Sequence, residues 1–127
     1  MFAYRSHKTS ETIAMLNLTD PKIALIHGAL INVLANRDIG KIRDYFTEDA
    51  ILIINEKKIQ GREIYGRIQW LKANVSIRSV VVKLHHAFFN DDQGFDYHTS
   101  EVIYTNDQRA LYKVFGYIKL RDKKICH

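Results

Sequence analysis

The sequence has one cysteine, Cys126, one proline, Pro21, and six glycines. A lone cysteine cannot form an intramolecular disulfide or the thiolate set of a structural zinc site, and it is typical of a reducing compartment, so we expect a cytoplasmic protein. Proline and glycine are too sparse to mark a linker between domains. A chain of 127 residues is long enough to bury a core without cross-links. We therefore expect one domain.

Long apolar runs are also missing. No stretch reaches the roughly 18 apolar residues that a membrane-spanning helix needs. Residues 1–18 carry His, Lys, Arg and Glu where a secretion signal has its apolar stretch. We therefore expect neither a membrane-spanning protein nor one that is exported by this route.

Basic residues exceed acidic ones, with 19 Lys and Arg against 14 Asp and Glu and a net charge of +5. They are scattered, and the densest cluster, Arg121 to Lys124, is interrupted by Asp122. No helix-turn-helix, zinc-finger or ribonucleoprotein motif accompanies the charge. We therefore expect a solvated basic surface and no nucleic-acid partner.

Two helices are expected before any strand. Asp20 and Pro21 are typical of a helix start, because Asp can cap free N–H groups and Pro loses no hydrogen bond at the first position. This helix should end near Asn36. Asp38 predicts the start of a second, short helix that ends near residues 47–49. Apolar residues at three- and four-residue spacing predict a buried face on both helices.

The rest of the chain predicts mainly strands. We expect a buried strand at 50–55, a turn at 56–58, a helix from Arg62 to about Asn74, and three long antiparallel strands after it with turns at 90–94 and 106–108. Helices followed by an antiparallel sheet indicate the α+β class. The domain should cover residues 20–127, after an N-terminal extension, residues 1–19, for which a short helix around residues 10–18 is one option.

Strand alternation assigns the residues of the three long strands to two faces. The expected inner face comprises Val80, Val82, Leu84, His86 and Phe88, then Phe95, Tyr97, Thr99, Glu101 and Ile103, then Tyr112, Val114, Gly116, Ile118 and Leu120. The expected outer face mixes charge with Phe89, Tyr104, Phe115 and Tyr117. A monomer rarely leaves so much aromatic surface in water, so we expect a homodimer through this outer sheet face.

Three segments, in this order and spacing, resemble the nuclear transport factor 2-like superfamily, which includes SnoaL-like polyketide cyclases, ketosteroid isomerase and limonene epoxide hydrolase. They are residues 43–50 (RDYFTEDA), Gly61-Arg62-Glu63, and residues 117–125 (YIKLRDKKI). The resemblance covers about Pro21 to the end of the chain. It implies a cone-shaped α+β barrel, with N-terminal helices packed in a curved, mainly antiparallel sheet. It implies little about the reaction, because this fold hosts many functions.

The catalytic groups of these relatives are only partly present. The resemblance places Ile54 where the isomerase has its general-base carboxylate, and Gly116 where it has its oxyanion-binding acid. Against the epoxide hydrolase, Asn55 lies near the water-holding asparagine and Glu101 near one catalytic carboxylate. The arginine two residues before that carboxylate is replaced by Thr99.

The expected inner face supplies His86 and Glu101 as an acid/base pair, because imidazole titrates near neutral pH and burial raises the pKa of a carboxyl group. The alternative is a hydrogen-bonded core histidine and a glutamate at the open rim of the cone. The expected ligand-binding residues are Asn55, Trp70, Tyr97, Thr99, Tyr112 and Gly116. For Trp70 and one of the tyrosines, the alternative is a plain core position.

No metal site or cofactor is expected. His85 and His86 are neighbours in a strand and should point to opposite faces, so they cannot chelate one ion. Phosphate-binding glycine loops and nucleophile elbows are absent from the sequence. We expect a SnoaL-like pocket protein that binds a small, mostly apolar ligand. The alternatives are a cofactor-free isomerase, cyclase, dehydratase or hydrolase that uses His86 or Glu101, and a non-catalytic protein-interaction module.

Overall fold

The computed structural model describes residues 17–54 and 56–127. In chain order its elements are α1 (Pro21–Gly28), a π-helical continuation (Ala29–Ala35), a 3-10 turn (Ile39–Lys41), α2 (Ile42–Tyr45), β1 (Ile51–Ile54), β2 (Lys57–Gln60), α3 (Arg62–Ala73), β3 (Ile77–Asn90), β4 (Gln93–Tyr104), β5 (Arg109–Arg121) and β6 (Lys124–Ile125). The expectations for residues 1–16, including nearly all of the optional N-terminal helix, lie outside the described residues, as does Asn55. Among the described helices, none has the length and apolar character needed to cross a membrane.

The predicted start of the first helix is confirmed. The Asp20 carboxylate accepts a hydrogen bond from the Lys22 N–H at 2.8 Å, and Pro21 occupies the first helical position. The helical path ends before Asn36, whose N–H donates to the Ile31 carbonyl at 2.9 Å. This bond spans five residues instead of four, so the final turns are wider than in an α-helix.

The second predicted helix is also present, but the hairpin after it differs from the expectation. Asp38 caps the helical start by accepting from the Gly40 N–H at 3.0 Å. The predicted turn at 56–58 is too long, because Glu56 adopts φ 70° and Lys57 already begins β2. The strand is buried as expected only at its start: Ala50 is buried, whereas Ile53 is 57% exposed, and among the described strands β1 pairs with β2 alone.

The long strands form an antiparallel sheet in the order β3-β4-β5-β6. β6 pairs with β5 only at Leu120 and Arg121. The sheet is strongly curled into a half-barrel, and the helices pack inside it. The predicted cone-shaped α+β barrel is therefore confirmed.

The face of the sheet that packs against α1 is called the concave face here, and the opposite face the convex face. The main apolar cluster joins α1 to this concave face through Ile23, Ile26, Ala29, Leu84, Ala87, Ile118, Leu120 and Ile125. A second cluster lies under the hairpin and α3 and comprises Val33, Ile42, Ala50, Ile59, Ile64 and Ile68. The helices therefore cover part of the concave face, and none of the described helices packs on the convex face.

A β-bulge reverses the expected faces in the second half of β3. The register changes from Leu84↔His98 to His86↔Tyr97, so that His85 is an extra residue in β3. Such an extra residue shifts the alternation of all the side chains that follow it. Beyond the bulge Ala87 is buried and Phe88 is exposed, so the inner placement of His86 and Phe88 is wrong.

The expected faces of β4 are exchanged along most of its length. Asp96, His98 and Ser100 are buried, whereas Phe95 is exposed. The expected inner face of β4 is the more apolar one. Its aromatic side chains instead pack on aromatic neighbours of the convex face. Two expected outer residues, Phe89 and Tyr104, pack instead against the core clusters.

Replacing Ile42 by alanine should lower the free energy of unfolding by about 2–5 kcal/mol, because this side chain is 2% exposed and its removal leaves a cavity. The matched control is Ile53→Ala, at a position that is 57% exposed, where a loss below about 1 kcal/mol is expected. Urea denaturation of both variants measures the difference. Equal losses would contradict this assignment of the core.

Candidate functional site

A row of polar side chains lies along the concave face of β4. Asp96, His98 and Ser100 alternate along the strand, so they point to the same side of the sheet, and all three are buried. Their cross-strand neighbours are mostly small or apolar. In the order β3, β4, β5, the three rows are Ala87, Asp96 and Gly116, then Leu84, His98 and Val114, then Val82, Ser100 and Tyr112.

Asp96 and His98 form a close pair inside this apolar surface. The distance from Asp96 Oδ2 to His98 Nδ1 is 2.5 Å, and the His98 and Asp96 side chains are only 10% and 5% exposed. A carboxylate that accepts from Nδ1–H orients the imidazole and leaves Nε2 to accept a proton. We refer to Asp96 and His98 as the dyad. It has the arrangement of a general base and the group that orients it.

The space for the Asp96 carboxylate is provided by Gly116. A Cβ at Gly116 would lie 2.5 Å from Asp96 Oδ1, which is closer than the two atoms can approach. The resemblance assigns the oxyanion-binding acid of the isomerase to this position on β5, and here the carboxylate that lies over it comes from the neighbouring strand β4.

The concave face becomes more open towards the first half of β5. Tyr112 is 52% exposed and Val114 is 36% exposed, although both lie on the same face as the buried Ser100. Ser100 and Tyr112 are cross-strand neighbours, and the hydroxyl group of each can donate and accept hydrogen bonds. The row of the sheet next to the dyad on this side thus carries two residues with hydroxyl groups.

His86 and Glu101, the catalytic pair expected from the sequence, are not brought together on the inner face. His86 is exposed, and its ring lies 6.3 Å from that of Tyr97 on the convex face. Glu101 accepts from Arg109 Nη1 at 3.4 Å. Their expected inner placement is therefore wrong: His86 is turned outward by the bulge in β3, and Glu101 by the exchanged faces of β4.

The other residues expected to bind a ligand are divided between several places. Tyr112 and Gly116 lie on the concave face with the dyad. Thr99 and Tyr97 lie on the convex face, where Thr99 Oγ1 is 2.9 Å from His85 Nε2. Trp70 is 62% exposed on α3, so the alternative that it is a plain core residue is wrong.

Sequence reasoning missed Asp96, His98 and Ser100, although their pattern is visible. The segment from Asp96 to Ser100 reads DYHTS, with a polar, hydrogen-bonding residue at every second position. In a strand this period places all three on one face. They are absent from the expected inner face because that face is chosen by apolar character alone.

No family model matches this sequence, and no curated protein matches it. Solved structures do. An LEH-like epoxide hydrolase from M. tuberculosis is 19% identical, with a TM-score of 0.68 over 84% of this chain and 74% of that one. A protein described as a proposed polyketide cyclase from Acidithiobacillus ferrooxidans is 8% identical, with a TM-score of 0.72 over 87% and 86%. An NTF2-like protein from Anabaena variabilis is 16% identical, with a TM-score of 0.67 over 88% and 89%.

This chain has the nuclear transport factor 2-like fold. The resemblance found in its sequence is thereby confirmed at the level of the fold. At these identities the likeness extends to the nuclear transport factor 2-like architecture alone, so the chemistry has to be argued from the dyad and its surroundings.

Gly116→Ala should displace the Asp96 carboxylate and break its contact with His98 Nδ1, because the new methyl group occupies the space of Oδ1. We expect the low-field proton resonance of this hydrogen bond to disappear from the NMR spectrum, and the free energy of unfolding to fall by about 1–3 kcal/mol. The control is Gly66→Ala, where an added Cβ meets nothing within 4 Å. An unchanged resonance in Gly116→Ala would contradict the role assigned to this glycine.

Proposed function

We propose that the protein binds a small, mostly apolar molecule over the Asp96–His98 dyad and acts on it as a cofactor-free acid/base catalyst. The observation that carries the proposal is the burial of an ionisable pair in an apolar concave face. This proposal keeps the ligand-binding pocket expected from the sequence and adopts the alternative that the protein is a cofactor-free enzyme. The base is His98 in place of His86 or Glu101.

A purely structural role explains this pair poorly. Burying two ionisable groups costs desolvation energy, and a well-packed apolar pair of similar volume is often as stable or more so. The neighbours Leu84, Val114 and Ala87 already provide an apolar surface that such a pair could join. An ionisable pair in this place is better explained by the chemistry that it can perform.

The roles of the residues follow from their positions. His98 Nε2 would take a proton from a C–H or O–H group of the ligand, and Asp96 would hold the imidazole in position and stabilise its charged form. Ser100 and Tyr112 would hydrogen-bond to an oxygen atom of the ligand. This scheme fits isomerisation, cyclisation, dehydration or hydrolysis, all of which need a proton transfer and no cofactor.

The proposal is tested with a screen of small apolar ketones, phenols and epoxides. Binding is measured by native mass spectrometry and turnover by chromatography. For a molecule that is turned over, His98→Gln and Asp96→Asn should each lower kcat by about 100-fold or more, the usual contribution of a general base. His27→Gln, a histidine change on α1, is the control and should leave kcat unchanged.

Two results would contradict this assignment. Loss of turnover in His86→Gln or Glu101→Gln, with His98→Gln fully active, would return the chemistry to the pair expected from the sequence. Ligand binding with equal affinity by the wild type and by Asp96→Asn, without turnover of any compound, would favour a carrier over an enzyme.

We also propose that the convex face is the interface of a homodimer. It carries six apolar side chains that are 41–76% exposed, here called the convex patch, namely Val81, Phe88, Phe95, Leu111, Phe115 and Tyr117. A fully exposed aromatic side chain presents about 150–250 Å², so the patch exposes roughly 700 Å² of apolar surface. A standard interface takes about 800 Å² from each partner, and a face of this kind can pair with its own copy about a two-fold axis.

Phe115→Glu should convert the dimer to a monomer, because Phe115 is 76% exposed and its ring stacks on Tyr97 in the middle of this face at 4.7 Å. Trp70→Glu is the matched control, since Trp70 is a comparably exposed aromatic residue outside the patch. Sedimentation equilibrium measures both. A wild-type protein that sediments as a monomer at high concentration would contradict the proposed dimer.

A further inference from the structure

The bulge in β3 brings two histidines onto the convex face, beside the convex patch. Neighbouring residues in a regular strand point to opposite faces. Here both imidazoles stack on the same ring: the centroid of His85 is 4.9 Å from that of Tyr97, and the centroid of His86 is 6.3 Å from it. Tyr97 in turn stacks on Phe115, so the histidines are continuous with the apolar surface.

The charges around these histidines are mainly positive. Lys83 on β3 and Lys113 on β5 flank Thr99 in the register of the sheet, and Thr99 is the hydrogen-bond partner of His85. The carboxylate that β4 contributes to this face, Glu101, is engaged by Arg109.

The pKa of His85 is also affected by charged or titratable groups on β3 and, through the sheet, on β4. Burial lowers the pKa of His85, and the positive charges of His86, Lys83 and His98 lower it further. A lowered pKa means that the folded protein favours the neutral form of this imidazole. Protonation therefore becomes costly here even before a partner covers the face.

We infer that protonation of His85 and His86 dissociates the homodimer, so that the convex face acts as a pH-sensitive interface. This inference rests on the homodimer proposed above. A second copy that covers the patch removes water from both imidazoles and from the Lys83 and Lys113 side chains on the same face, so that water screens the repulsion between these positive charges less. The dimer therefore favours the neutral histidines, and its association strengthens as the pH rises and weakens as the pH falls through the histidine titration.

The dissociation constant of the dimer is measured by sedimentation equilibrium at pH 7.5 and at pH 5.5. For a model imidazole of pKa about 6.5 that has to be neutral in the dimer, association weakens by about tenfold per copy between pH 7.5 and pH 5.5, and the lowered pKa of His85 makes the contribution of His85 smaller than this. We therefore expect the dissociation constant to rise at least tenfold between the two pH values. Circular dichroism at pH 5.5 verifies that the chain is still folded.

Variants separate these histidines from other titrating groups. The double variant His85→Gln/His86→Gln should lose most of the pH dependence, because glutamine carries no charge. His127, whose ring lies 6.2 Å from that of Tyr117 in the convex patch, is still present in this variant. His86→Lys should dimerise weakly already at pH 7.5, because its charge is permanent. His27→Gln, outside the convex face, is the control and should keep the pH dependence of the wild type.

The outcomes distinguish this inference from the proposal beneath it. A wild-type monomer at both pH values overturns the convex-face dimer and the inference together. A wild-type dimer with the same dissociation constant at both pH values overturns only the inference that protonation dissociates the dimer. If the double glutamine variant does not associate, His86→Phe keeps a ring on Tyr97 without a proton, and an undiminished pH dependence in this variant overturns the role of His86.

Discussion

The register between β3 and β4 is the constraint on which the rest of this structure depends. Besides the register shift between Ile77 and Ser79 near the start of β3, an extra residue at His85 divides the rest of the strand into two halves of opposite alternation. The first half places Val80, Val82 and Leu84 against the helices. The second half turns Ala87 inward over Asp96 and turns both histidines outward. This irregularity thus separates the buried imidazole on β4 from the half-buried His85 and the exposed His86 on β3, and gives the two faces of one sheet different chemistry.

The concave site is built from small residues as much as from polar ones. Asp96 can lie flat between its neighbours because Ala87 and Gly116 occupy the positions beside it. Larger side chains there would force the carboxylate away from His98. Gly116 on β5 thus leaves room for an acidic group that the neighbouring strand β4 supplies.

Local signals predicted the helix starts and the α+β class, and the family resemblance predicted the cone-shaped barrel, whereas neither identified the dyad. Asp20, Pro21 and Asp38 mark helix starts by hydrogen bonds to their immediate neighbours, and such signals do not depend on distant parts of the chain. A bulge has no comparable signature in the sequence, because it is decided by how two strands pair. The error at His86 followed from that.

The error in β4 has a different origin. The alternation of Phe95 and Tyr97 was correctly recognised as one face, but apolar residues were assumed to lie inside. A sheet with bare aromatic residues on one face and a polar site on the other reverses that assumption. Only the contacts of the neighbouring strands, with α1 packed against Leu84 and Ile118, identify which face is inner.

The short pairing of β6 leaves most of the outer edge of β5 without a strand beside it among the described residues. An edge strand rich in aromatic and branched residues, as this one is from Leu111 to Tyr117, is a template for uncontrolled addition of further strands. Lys113 lies within that stretch, and a lysine at an edge discourages such addition because a second strand would have to desolvate its charge. The same side chain that adds positive charge to the convex face thus protects the protein from aggregation along its edge.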